Sequence, residues 1–282
     1  MSRHTSFRIG GPADAYVEVE HWADLKRLYV IAGQAGLPLF FLGGGSNLLV
    51  LDGGIRGLVL RLRGAFEAID PLGEGGVWVG AGTRVEHLVR WSVFHGLSGA
   101  EFLTGIPGTA GGALVMNAGT RGSGIGDLVR RVEVFEPSGL ESVRVPRSRL
   151  RFGYRSSSLG GRLILGAVLK LKPGDKVDII ERVQEYRRRR RETQPYQAFT
   201  VGSTFKNPPG RFAGKLIEDA GLKGASVGGA RVSAVHANFI ENTGRAKASD
   251  VLGLVDVIRR AVRVRSGVGL ELEMQVVGEY LR

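Results

Sequence analysis

The sequence predicts an α+β chain, with a β-rich first part followed by a compact α/β segment. Three observations carry this. Short apolar runs with few helical patterns fill the chain up to Pro173. Two glycine-rich loops punctuate those runs, and helical and extended patterns alternate beyond Pro195.

In order along the chain, Tyr16–Val19 reads as a short strand and Ala23–Gln34 as an amphipathic helix. Leu37–Leu42 is a buried strand running straight into Gly43-Gly44-Gly45-Ser46-Asn47. Gly57–Leu62 and Val77–Ala81 follow as strands. Thr83, with Glu86 three residues on, has the spacing of a capping box, and the helix it opens places Val85, Leu88, Val89 and Val93 on one face. The second glycine-rich segment is Gly105–Gly124, after which strands resume at Val132–Glu136, Glu141–Val145 and Leu163–Leu171.

After Pro173 the texture changes. Asp175–Glu192 reads as one long polar helix ending in Arg187–Arg191 and stopped by Pro195. Five arginines there fit a solvated helix end favoured by the C-terminal dipole. Next come a helix at Ala213–Ala220 closed by Gly221 and a strand at Val235–Glu241. A helix at Ser249–Ser266 aligns Val251, Leu254, Val255, Ile258 and Val262, and Leu270–Val277 is the last strand. A domain boundary falls near residues 173–195, and no internal repeat is visible.

Composition narrows the function. The 282 residues hold 39 Lys+Arg against 27 Asp+Glu, a formal charge of +12, and 31 of those cations are Arg. Such a balance suits nucleic acid, an acidic membrane surface or small anionic ligands, and charge alone does not choose among them. With no cysteine, a disulfide framework, a thiolate metal site and a cysteine nucleophile are excluded. Arg3, His4 and Arg8 have no apolar stretch behind them, so no signal peptide is read, and no run is long enough to span a membrane. A soluble cytoplasmic protein is expected.

The 44 glycines cluster rather than repeat. A buried strand feeding Gly43–Asn47 is a loop shaped for oxyanions, since residues without Cβ let backbone N–H groups approach a phosphate. A plain tight turn would use the same glycines. Three standard motifs fail: Gly80-Ala81-Gly82 continues to Val85 where a dinucleotide fingerprint has its third glycine, Gly214-Lys215 is followed by Leu216, and Gly96-Leu97-Ser98-Gly99 ends in Ala100. With Gly105-Ile106-Pro107-Gly108-Thr109-Ala110-Gly111-Gly112 and Asn117-Ala118-Gly119, two such loops suit a long ligand with a phosphate middle and a flat head, such as a flavin dinucleotide.

Seven segments in order carry a resemblance over nearly the whole chain. They are Thr5-Ser6-Phe7-Arg8-Ile9-Gly10-Gly11-Pro12-Ala13, Leu42–Val50, Gly105–Gly112, Phe152-Gly153-Tyr154-Arg155, Gly202-Ser203-Thr204-Phe205-Lys206-Asn207-Pro208, Ala220–Gly224 and Leu270-Glu271-Leu272-Glu273. The chain resembles the UDP-N-acetylenolpyruvoylglucosamine reductase family, flavoenzymes of peptidoglycan precursor synthesis. The resemblance implies an FAD-binding domain of the vanillyl-alcohol-oxidase/PCMH type, in two α/β subdomains over residues 1–57 and 58–190. A substrate-binding α/β domain over 191–282 would follow, with its last strand returning to the active site. It further implies non-covalent FAD, NADPH as reductant, two hydride transfers and UDP-N-acetylmuramate as product, with a monomer expected. Only a short Ser/Gly-rich link follows Tyr154-Arg155, and Asn207-Pro208 runs quickly into Ala213, so the chain resembles the shorter, second type without the tyrosine loop.

Hydride addition to an enol-ether double bond conjugated to a carboxylate makes an enolate, which needs a cation at its oxygens and an acid at the adjacent carbon. By resemblance, Arg155 contacts the enolpyruvyl carboxylate, Ser203 donates the proton to C2 and Glu273 assists the enolate. On residues alone Glu271 and Glu273 share one strand face and are not separable. The family usually has Pro between those glutamates, where this chain has Leu272. Lys206 is a cation placed to stabilise the serine alkoxide. The FAD set implied is Gly43, Gly44, Gly45, Ser46, Asn47, Leu48, Gly105, Ile106, Pro107, Gly108, Thr109, Gly111, Gly112, Asn117, Gly119 and Ile164. Lys206, Asn207, Lys223 and His236 match the uridine-diphosphate side, and a strand histidine packed into a half-buried position is the other reading of His236. Arg121 stands where the family often has tyrosine, leaving that sugar or diphosphate contact open. No metal ligand set is read.

Two rivals remain. An FAD alcohol or sugar oxidase of the same fold often tethers its flavin through His or Cys, but none of the histidines at 4, 21, 87, 95 and 236 lies in a glycine-rich loop. A nucleic-acid surface would need aromatics interleaved with the charge, which are missing.

Overall fold

The computed structural model describes residues 1–120 and 122–281. The chain forms two compact units, and both are discontinuous in sequence. The larger comprises Ala15–Gly44 and Gly57–Arg189; the smaller comprises Met1–Asp14, Gly45–Arg56 and Arg190–Arg282.

In the larger unit, a five-stranded antiparallel sheet runs in the order 141–146, 129–136, 164–170, 76–80 and 69–71. Its central strand, Ile164–Lys170, is paired on both edges and apolar, and its successive side chains are buried on both faces of the sheet. Leu39–Phe41 pairs in parallel with Leu58–Leu60, forming a second sheet with Ala13–Val19. The helix Trp22–Gln34 buries Leu25 and Ala32, and Val85–Phe94 buries Val85, Leu88, Val89 and Ser92. One core joins these elements to Phe102, Leu103, Leu114 and Val183.

Three local expectations are corrected. Thr83 is not a helix cap: Arg84 occupies the cap position of Val85–Phe94 without a side-chain bond. Thr83 instead bonds through Oγ1 to the Ala68 carbonyl, and its own carbonyl accepts from Ala110. The expected strand Val235–Glu241 shortens to Ile240–Asn242, because the Ser233 hydroxyl accepts from the amides of Val235 and His236 and turns the chain. Leu270–Val277 is not one strand either. Leu272 bridges to Phe205, and only Gln275–Val277 is regular, paired in parallel with Leu48–Val50.

In the smaller unit, a three-stranded sheet (226–227, 230–232, 240–242) packs on the helix Ala248–Ser266. That helix buries Val251, Leu254, Val255, Ile258 and Val262, the face its periodicity predicts. Asp52 reaches its N-terminus, accepting from Ala248 N–H at 2.8 Å and Ser249 N–H at 3.1 Å. Asp250 accepts from Lys247 and Gly229 N–H groups, which hold its carboxyl below the ordinary range. Gly267, at φ +71°, ends the helix. Phe7, Ile9, Leu49 and Leu51 join the same core, so the N-terminal residues fold with the C-terminal ones.

Candidate active site

In the larger unit the two glycine-rich loops meet backbone to backbone. A Cβ on Gly44 would lie 2.4 Å from Gly108 Cα, so only glycine permits this approach. Among the described residues, the amides of Gly43 and Gly44 donate to no backbone acceptor. Half-buried N–H groups without protein partners are the donors that a diphosphate would satisfy, so this loop fits the dinucleotide read from the sequence. Thr109 caps the helix Ala110–Met116, its hydroxyl accepting from Gly112 N–H, and Gly111 N–H donates to the Ala81 carbonyl. Gly105 and Pro107 are exposed while Ile106 and Gly108 are half-buried, so the loop lines the surface with its backbone. Ile164 is buried in the central strand.

The segment after that helix is held by Asn117, at φ +45°. Its side chain donates to the Gly153 carbonyl at 2.9 Å and accepts from Gly126 N–H at 3.0 Å. These bonds tie the Phe152–Ser157 hairpin to the second glycine-rich segment. Arg155 sits in the turn of that hairpin at φ +51°, a strained conformation for a non-glycine residue. Its guanidinium donates to the Gly119 carbonyl at 3.3 Å and lies over the Tyr154 ring. Arg121 lies outside the described residues.

The smaller unit holds Gly45, Ser46, Asn47 and Leu48. Asn47 donates through Nδ2 to the Glu273 carbonyl at 3.1 Å and accepts from Gln275 N–H, so the end of the first loop is bonded to the last segment of the chain. That segment also runs antiparallel to Ser203–Lys206: Lys206 N–H donates to the Glu271 carbonyl, and Glu273 N–H to the Thr204 carbonyl. This pairing separates the two glutamates that alternation left equivalent. Glu271 is exposed and receives the Lys206 ammonium, while half-buried Glu273 stands opposite Thr204, the residue that follows Ser203 in the chain. Ser203 is half-buried and follows Gly202 at φ +81°.

Asn238, which the sequence pattern does not single out, holds this segment in place. It is buried, donates to the Phe205 carbonyl at 2.8 Å, and accepts from Phe205 N–H at 3.0 Å. Its own carbonyl accepts from Thr204 N–H at 2.7 Å. The side chain thus acts as a piece of strand beside the proposed acid. Its only signal in the sequence is one amide inside the apolar run Ala237–Ile240. Asn238→Ala leaves two buried backbone groups unpaired and should destabilise the protein by about 3 kcal/mol, measured by urea unfolding.

Asn207 accepts from Ala213 N–H at 3.0 Å, and Lys223 pairs with Glu218 at 2.9 Å. His236 is in a turn, packed against Phe239 and close to Gly214. Its Nδ1 accepts from Asn238 N–H at 3.2 Å, which leaves the proton on Nε2. Burial, the largest cause, and the Lys223 charge push its pKa below the ordinary 6.5, against a hydrogen bond with its own backbone and the pull of Glu218. The folded protein therefore binds fewer protons here than the unfolded chain, so stability rises with pH up to about 6.5 and falls on acidification. His236→Gln should remove that part of the acid slope in unfolding measured below and above pH 6.5.

Among the described residues there is no helix long and apolar enough to cross a membrane and no cluster of three or more potential metal ligands.

The chain is similar to known proteins along nearly its whole length. Residues 194–277 match the family described as UDP-N-acetylenolpyruvoylglucosamine reductase, C-terminal domain, and residues 13–142 match the FAD binding domain family. UDP-N-acetylenolpyruvoylglucosamine reductase 2 of Symbiobacterium thermophilum is 46% identical over 99% of this chain and 90% of its own. The reductase of Moorella thermoacetica is 46% identical over 100% and 92%. The crystal structure of the reductase from Thermus caldophilus superposes with a TM-score of 0.86 at 43% identity, covering 98% of this chain and 97% of that one.

Proposed function

The chain belongs to the UDP-N-acetylenolpyruvoylglucosamine reductase family, and from that premise we propose which of its residues carry the chemistry. It is an FAD-dependent oxidoreductase that reduces UDP-N-acetylglucosamine enolpyruvate to UDP-N-acetylmuramate with NADPH, a step of peptidoglycan precursor synthesis. FAD, when bound, relays hydride from NADPH to the methylene carbon of the enolpyruvyl group.

The observation that supports the residue roles best is the pairing of Ser203–Lys206 with Glu271–Glu273. It brings the Ser203–Lys206 segment against the one that carries both glutamates, with Glu273 opposite Thr204, the residue after Ser203, and with Glu271 in an ion pair with Lys206. In our reading Arg155 neutralises the carboxylate on which enolate charge develops. Ser203 O–H donates its proton to C2, and Glu273 orients that transfer. A hydroxyl is a weak acid in water, but an enolate carbon is basic enough to take its proton. The Lys206 ammonium, one residue beyond Phe205, stabilises the alkoxide left behind while remaining paired with Glu271. Asn207, Lys223 and His236 serve the uridine diphosphate, with the His236 Nε2–H as a neutral donor. Arg121 is proposed for the same diphosphate or the sugar. Gly43–Leu48, Gly105–Thr109, Gly111, Gly112, Asn117, Gly119 and Ile164 are assigned to FAD. We take the enzyme to work in the cytoplasm as a monomer.

Purified protein should show a flavin absorbance spectrum, and unfolding should release all the yellow colour as free FAD. Colour retained on the unfolded chain would favour an oxidase with tethered flavin instead.

A further inference from the structure

The reaction leaves the arginine-rich helix unexplained. Lys176–Thr193 anchors to the larger unit through buried Ile179 and Val183 and through Arg182, which donates to buried Glu101 at 3.0 Å. Arg182 is thus consumed by the fold. Arg187 and Arg188 are not: both are exposed, and neither has a carboxylate partner among the described residues.

At about 100° per residue, Lys176, Val177, Ile180, Gln184, Arg187 and Arg188 fall within about 120° of the helix circumference. All six are exposed. The acidic residues of the helix, Asp178, Glu181, Glu185 and Glu192, occupy a separate adjoining sector of about 60°. The outward stripe therefore carries cations, apolar groups and one amide, Gln184, with no acid among them. Its large apolar members are unusually bare: Val177 is 62% and Ile180 41% exposed. Phe94, 74% exposed, extends the stripe at its first turn, where the Lys176 ammonium lies 5.7 Å from the centre of its ring. The surface is a line of apolar side chains continued by unpaired arginines, on a protein of net charge +12.

We propose that this face docks the enzyme on an anionic phospholipid bilayer. Phe94, Val177 and Ile180 would enter the headgroup boundary, while Lys176, Arg187 and Arg188 would pair with lipid phosphates. A nucleic acid would use the arginines but leave the bare apolar groups without a role. The contact is peripheral, reversible and weakened by salt.

Sedimentation of the holoenzyme with vesicles of equal parts phosphatidylglycerol and phosphatidylcholine, and with phosphatidylcholine alone, tests this at low and physiological salt. The expected result is binding to the anionic vesicles only, reduced by salt. Arg187→Ser with Arg188→Ser should weaken it about tenfold or more, and Phe94→Ser alone should weaken it about tenfold. Both variants should keep the flavin spectrum and turnover, since neither site is in the catalytic machinery. Failure of the wild type to bind anionic vesicles at low salt overturns the proposal. So does a Phe94→Ser variant that binds as the wild type does, because charge attraction to any polyanion would then suffice.

Discussion

Ser203→Ala should leave reduction of the bound flavin by NADPH intact and slow its reoxidation by the enolpyruvyl substrate by about 100- to 10,000-fold, the usual contribution of a positioned general acid. The expectation rests on position. Ser203 precedes Thr204, whose carbonyl accepts from Glu273 N–H, on the segment that Asn238 clamps, so alanine removes the proton without disturbing the backbone around it. Stopped-flow absorbance resolves the two half-reactions, and the effect should fall on the second alone. Near-normal reoxidation would remove Ser203 from the mechanism.

Gly44→Ala should produce protein that is purified with little FAD. The added methyl would meet Gly108 Cα at 2.4 Å and Gly108 C at 3.1 Å. Both atoms belong to backbone, so the contact cannot be relieved by turning a side chain. The loops must separate, at a cost of about 1–3 kcal/mol for overpacking, and the donors of Gly43 and Gly44 move with them. FAD affinity should fall by about tenfold or more, measured by flavin fluorescence on titration. Gly33→Ala is the matched control, since nothing lies within 4 Å of a Cβ there. A Gly44→Ala protein with a full complement of FAD would show that the close approach of the loops is not needed for the cofactor.

Much of this was legible in the sequence where the signal is local and repeated. The buried face of Ala248–Ser266 follows from five apolar residues at helical spacing, and Ile164–Lys170 from an unbroken apolar run. The glycine-rich loops announced close backbone approach, although the sequence does not say what approaches: Gly43 and Gly44 face Thr109 and Gly108, which are far away along the chain. Features fixed by distant partners were not legible. Leu270–Val277 alternates like one strand, yet its two halves pair with different segments, 204–206 and 48–50, and the chain breaks between them. The same long-range pairing assigns Glu271 to Lys206 and sets Glu273 opposite Thr204, a distinction that a period of two cannot make. The Thr83–Glu86 spacing was misleading because the backbone of Thr83 is committed to Ala110 and its hydroxyl to Ala68. Asn238 had almost no signal, since one amide in an apolar run does not reveal which backbone it completes.

The most direct measurement is anaerobic. The purified enzyme is reduced with one equivalent of NADPH, mixed with UDP-N-acetylglucosamine enolpyruvate, and followed by flavin absorbance, with the product identified by mass. Rapid recovery of the oxidised flavin spectrum and one UDP-N-acetylmuramate per flavin are expected. A flavin that stays reduced until oxygen is admitted, with the substrate recovered unchanged, would contradict the assigned reaction.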